Sequence, residues 1–120
     1  MPRLNASSQV SRGRDCLECG AAYQTDKQTS QFCSAACRRA YNNRRQTRGA
    51  ELYDLFMAHR FDRSAARALR VLSMLNRLAS MYREEDRRER GSRRSWTPPE
   101  VVAERAPHLR AIVLLKRGAR

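Results

Sequence analysis

Cys16-Leu17-Glu18-Cys19-Gly20, followed at residues 33–37 by Cys33-Ser34-Ala35-Ala36-Cys37, is the part of this 120-residue sequence that decides its fold. Two thiolates two residues apart can grip one tetrahedral ion, because the turn between them aims backbone N–H groups at the sulfurs. Gly20 permits the positive φ that such a turn needs. In the second pair the cysteines are four apart, so on the first turn of a helix they share one face, and the helix N-terminus favours their ionised form. The thirteen residues between the pairs, 20–32, are enough for a short hairpin with Tyr23 and Phe32 packing beside the ion. The expected ligand set is therefore Cys16, Cys19, Cys33 and Cys37 around one structural Zn2+. Four sulfurs saturate the ion and leave no position for a catalytic water. Two disulfides, an iron–sulfur cluster and a redox pair are the competing readings. Disulfides need an oxidising compartment, and a redox CxxC needs a βαβ context that this sequence lacks. An iron–sulfur cluster also takes four cysteines, but a helical i,i+4 pair beside a small hairpin is more usual for zinc.

The run Cys16-x2-Cys19-Gly20 with Phe32-Cys33-Ser34-x2-Cys37-Arg38 resembles the treble-clef zinc fingers, in particular the bacterial and MYM-like branch whose second half reads FCSxxCR. It is similar to the small bacterial zinc proteins that inhibit DNA gyrase. The resemblance covers about residues 15–45 and implies a knuckle, a β-hairpin and a helix around one zinc. Treble clefs bind DNA, RNA or protein or carry nuclease sites, so the fold does not choose among these. The nuclease branch uses histidines within the finger, whereas the only histidines here are His59 and His108.

Charge points to the partner. Twenty-five basic residues stand against twelve acidic ones, giving a formal charge of +13, and all but Lys27 and Lys116 of the basic residues are arginines. Such an excess suits a polyanion, and the guanidinium fork suits phosphate. Residues 1–48 carry nine basic and three acidic side chains; 49–90 carry nine and seven; 91–120 carry seven and two. The excess is thus at the finger and the tail. In the helix after Cys33, Arg38, Tyr41, Arg45 and Arg48 fall at steps of three, four and three, with Arg39 and Arg44 alongside. Two arrangements of this face are open. In one, the arginines meet a phosphate backbone, Tyr41 stacks on a base or sugar, and Asn42 or Asn43 reaches a base edge. In the other, the face is solvated and Tyr41 is tucked against the zinc hairpin. Arg63, Arg67, Arg70 and Arg77 form a further cationic sector with the same two readings.

The sequence divides into a flexible basic arm (1–14), the four-cysteine finger (15–48), a helical pair (49–90), and a linker, short helix and basic C-terminal segment (91–120). Gly49 is expected to end the finger helix, and Asp62 or Ser64 to cap the next, giving helices over about 50–60 and 64–89. The stripe Leu52, Leu55, Phe56, Ala65, Ala68, Leu69, Leu72, Leu75, Ala79 and Tyr82 is expected to be buried, with Met57, Met74 and Met81 as core filler. Gly91 should close the long helix. Thr97-Pro98-Pro99-Glu100 reads as a capping box opening a helix to about Ala106, with Trp96 stapling its entrance. Residues 107–117 suit either a helix or a strand.

The expected fold is mainly α: a small treble-clef zinc finger followed by a helical segment. The expected function is non-enzymatic nucleic-acid binding, DNA first, through Arg38, Arg39, Tyr41, Arg44, Arg45 and Arg48. A protein-binding adaptor or inhibitor of a DNA-acting enzyme, and an RNA- or ribosome-associated protein, are the alternatives. The longest aliphatic run, 111–115, is too short for a membrane span, so a cytoplasmic protein without a membrane partner is expected. No nucleophile–base pair or Gly-rich phosphate loop points to a small-molecule substrate.

Overall fold

The computed structural model describes residues 11–110, and the expectations for 1–10 and 111–120 lie outside them. The order of elements is β1 (Arg12–Asp15), β2 (Ala22–Thr25), α1 (Ala35–Phe61), α2 (Arg63–Leu69), α3 (Val71–Arg90) and α4 (Pro99–Arg105), followed by a 3-10 turn, Pro107–Arg110. The described chain is mainly helical, with one small antiparallel hairpin in which Arg12 faces Thr25 and Asp15 faces Ala22.

The hairpin differs from the expected one. It does not lie between the cysteine pairs; β1 precedes Cys16, and the Cys16–Gly20 knuckle is itself the hairpin's turn. Residues 12–14, expected in a flexible arm, form this strand. Gly20 has φ +79°, and its N–H donates to Cys16 O at 2.9 Å. Arg14 then pins the following loop, donating to Gln28 O and Ser30 O.

Gly49 does not end a helix. α1 runs unbroken from Ala35 to Phe61, so the finger helix and the first helix of the expected pair are one element crossing the 48/49 boundary. A glycine inside a helix costs only about 1 kcal/mol, which the packing of the two turns on either side outweighs. Ser34 caps α1, its Oγ accepting from Cys37 N at 3.2 Å, and Asp62 caps α2, accepting from Ala65 N. A further break falls where the periodicity gave no warning. Arg70 adopts the left-handed conformation, φ 58°, and separates α2 from α3. Gly91 closes α3 in the same conformation, as expected.

α1 and α3 form an antiparallel hairpin in which α3 turns Val71, Leu75, Leu78 and Tyr82 inward; Leu75 and Tyr82 belong to the expected stripe, whereas Val71 and Leu78 do not. Phe56, Leu69 and Leu72 are 53%, 68% and 54% exposed, and Ala68, Ala79, Met57, Met74 and Met81 are exposed as well. A two-helix layer covers only a narrow strip of each helix, so residues a quarter-turn from the seam stay in water. At α4 the cap also differs. Pro98 holds the N-cap position without a side-chain hydrogen bond, and Trp96 lies exposed under the Arg94 guanidinium, 4.5 Å from its ring centre.

Candidate metal centre and the arginine face

The four cysteines converge. Cys16 sits at the end of β1, Cys19 in the knuckle, Cys33 just before α1 and Cys37 in its first turn, and their sulfurs all lie within 4.8 Å of one another. Cys19 to Cys33 and Cys33 to Cys37 are both 3.7 Å. Four sulfurs at ~2.3 Å from a common tetrahedral ion would be separated by about 3.8 Å. A disulfide would bring a pair to about 2.05 Å, so the observed spacing fits a shared ion and not two bridges. All four cysteines are free.

Electrostatics agrees with a cation at the centre. Burial alone would push the Cys16 thiol up, but backbone hydrogen bonds from Cys19, Cys33 and Glu18 outweigh it and bring it down to about 6. Hydrogen bonds with Cys37, Cys19 and Cys16 push the Cys33 thiol up to about 12. Backbone N–H groups let one thiol ionise early, the crowd of sulfurs makes a second ionisation costly, and a divalent ion removes that conflict. The donor set therefore suits a metal ion.

The six residues expected to meet nucleic acid separate into two groups. Tyr41 is buried at 9% exposure, its ring tilted against Phe32 with centres 5.2 Å apart, so it packs against the hairpin instead of offering a stacking surface. Arg44 makes a two-pronged bond to Glu18, with Nη1 at 2.9 and 3.0 Å from the two oxygens, and its Nε donates to Ser95 Oγ. Arg48 grips Asp86 with both Nη atoms, at 3.3 and 3.1 Å, and reaches Glu85. These two guanidiniums are neutralised inside the molecule. Arg38 and Arg39 are exposed and make no ion pair among the described residues, and Arg45, also exposed, lends Nη1 to Ser95 O.

One group of functional importance to the fold was not singled out from the sequence. Arg90 is 5% exposed and its Nη2 donates to Leu17 O at 2.6 Å, while Nη1 donates to Ser95 Oγ at 3.0 Å. Its Nε lies 3.4 Å from Glu18 Oε1 without hydrogen-bond alignment, which leaves that N–H unsatisfied. Arg93 donates to Glu18 O. The knuckle's carbonyls are thus held by Arg90, the last residue of α3, and by Arg93 just beyond it, around a buried Asp86–Ser95 pair. The sequence signal for Arg90 was only a mixed charge run, residues 84–90, that reads as a solvated helix end. Among the described residues no helix is long and apolar enough to cross a membrane.

No protein-family model, curated protein or solved structure matches this chain.

Proposed function

We propose that this protein is a zinc-stabilised, non-enzymatic nucleic-acid-binding module of treble-clef type, DNA being the first candidate. One Zn2+ held by Cys16, Cys19, Cys33 and Cys37 fixes the start of α1. The zinc supplies structure, since four thiolates fill its coordination. From α1, Arg38, Arg39 and Arg45 project into solvent with Asn42 on the same side, and these meet the phosphates and, through Asn42, a base edge. Arg44 and Arg48 serve as internal struts that hold α1 against the knuckle and α3. The observation that carries the reading is the pair Arg38 and Arg39: two exposed guanidiniums without a carboxylate partner among the described residues, one residue after a metal-ligand cysteine.

The test is duplex binding by the zinc-loaded protein as a function of salt. Neutralising about three phosphates gives a log–log slope of about −3. The double variant Arg38→Glu, Arg39→Glu should abolish most of that slope while leaving the thermal transition in place. Binding that is insensitive to salt, or unchanged in the double variant, overturns the proposal.

A further inference from the structure

At the end of the molecule far along α1 from the cysteines, α1, α2 and α3 meet in a shallow depression of about 260 Å³. It is lined by the arginines Arg63, Arg67 and Arg70, by Ala66 and Leu72, and by His59 and Ser73. Phe56, 53% exposed, lies beside it, its ring centre 6.3 Å from that of His59, and Leu72 is 54% exposed. No carboxylate lines the depression, and the three arginines make no ion pair among the described residues. Arg63 spends one N–H on His59 O at 3.5 Å. The bond leaves its remaining donors available.

We infer that this corner is a docking site for an acidic amphipathic helix of another protein. An apolar side chain of the partner seats on Leu72 and Phe56, and carboxylates one turn away on either side meet Arg63, Arg67 and Arg70. The occupant is chosen by charge and by chemistry together. A second copy of this chain would bring an equally cationic rim against the first, and a formal charge of +13 makes that pairing repulsive. A phosphodiester chain would satisfy the arginines yet leave the Leu72 and Phe56 surfaces in water, whereas an acidic helix with i, i+3, i+4 anchors covers both. The depression is also smaller than the ~300–1,000 Å³ of sites that enclose a small molecule, which favours a shallow contact along a helix. This site is separate from the Arg38/Arg39 face, and its test does not depend on nucleic-acid binding.

The probe is a fluorescein-labelled synthetic peptide of about 18 residues, five helical turns, with Leu at every third and fourth position and Glu elsewhere. A second peptide carries Lys in place of every Glu, and a single-stranded oligonucleotide is the third probe. Anisotropy should report binding of the Glu peptide only among the two peptides. Leu72→Ala and Arg67→Glu, both at exposed positions, should each weaken it about tenfold, a loss of about 1.4 kcal/mol. In the unaltered protein, amide resonances of residues 56–73 should shift on adding the Glu peptide, which keeps the site testable should a variant misfold. Three results overturn the proposal: Leu72→Ala binding the peptide as well as the parent does, the oligonucleotide shifting the same amides and displacing the peptide, or a dimer in sedimentation that Leu72→Ala dissociates.

Discussion

Arg48 and Asp86, thirty-eight positions apart in sequence, face each other with Nη2 3.1 Å from Oδ1 across the α1–α3 seam. The side chains are 13% and 8% exposed, so the pair is largely withdrawn from water. Burial alone would push the Arg48 guanidinium down, but the hydrogen bond and charge of Asp86 outweigh it and hold it above its ordinary value. Removing one partner of a buried pair strands the other. Asp86→Ala should therefore cost about 3 kcal/mol, and the double variant with Arg48→Met should cost less than the two single losses added together. Urea denaturation of the two singles and the double completes the cycle; additive losses would show that the pair is not coupled.

Gly49→Ala should stabilise the protein by about 0.5–1 kcal/mol. The position is in mid-helix, and a Cβ there meets nothing within 4 Å, so only the gain in helix propensity remains. Thermal denaturation gives the sign directly. A loss would mean that the helix ends at this residue in solution.

Gly20 offers the opposite case. Its φ is +79°, and a Cβ would stand 2.5 Å from Arg93 Nη1 and 2.9 Å from Cζ. Gly20→Ala should cost about 1–2 kcal/mol, from left-handed strain and from displacement of Arg93 off Glu18 O. Arg93→Ala in the same chain should recover the steric part alone, which a stability comparison of the two variants separates.

With Zn2+ held by the four cysteines as proposed, a strong chelator should unfold the hairpin and the first turn of α1, an effect on the order of 10 kcal/mol in small zinc modules near neutral pH. Four thiols should become reactive together. Because Arg90 and Arg93 hold the knuckle's carbonyls, amide protection around residues 93–95 should fall in the same step. Unchanged circular dichroism and thiol reactivity would dispose of the metal centre.

Tyr82 sets an alkaline limit. Burial first, then its hydrogen bond to Glu51, push the phenol up to about 12 from the usual value near 10. A group whose folded value is raised stabilises the protein below the unfolded value and loses that contribution as pH climbs toward the folded one. Stability should thus decline between about pH 10 and 12 by on the order of 1 kcal/mol after solvent screening, and Tyr82→Phe should remove that part of the decline. Denaturation midpoints of both proteins across this range decide it.

The cysteine cluster was legible because its information is local: spacings of two and three residues within a turn and a helix fix where sulfurs point. The arginine face was legible only in part. A helical wheel places Arg38, Tyr41, Arg45 and Arg48 on one side, yet it says nothing of what lies opposite. Glu18, Asp86 and Ser95 arrive from 26 to 51 residues away and claim Arg44, Arg48 and part of Arg45. The expected burial of Leu69 and Leu72 failed for a related reason. Periodicity reports that an apolar stripe exists, but the break at Arg70, where no glycine or proline marks the turn, puts Leu69 and Leu72 on different helices, and α3 turns Val71 and Leu75 to the seam instead.

α1 is a single uninterrupted rod of 27 residues, about 40 Å at 1.5 Å per residue. It starts among the thiolates and ends beside the arginine-rimmed corner, so it acts as a ruler between them. A polyanion held at one end and a partner helix at the other would be kept at a set separation and a set angle, and the molecule would serve as a spacer whose length is written in one helix.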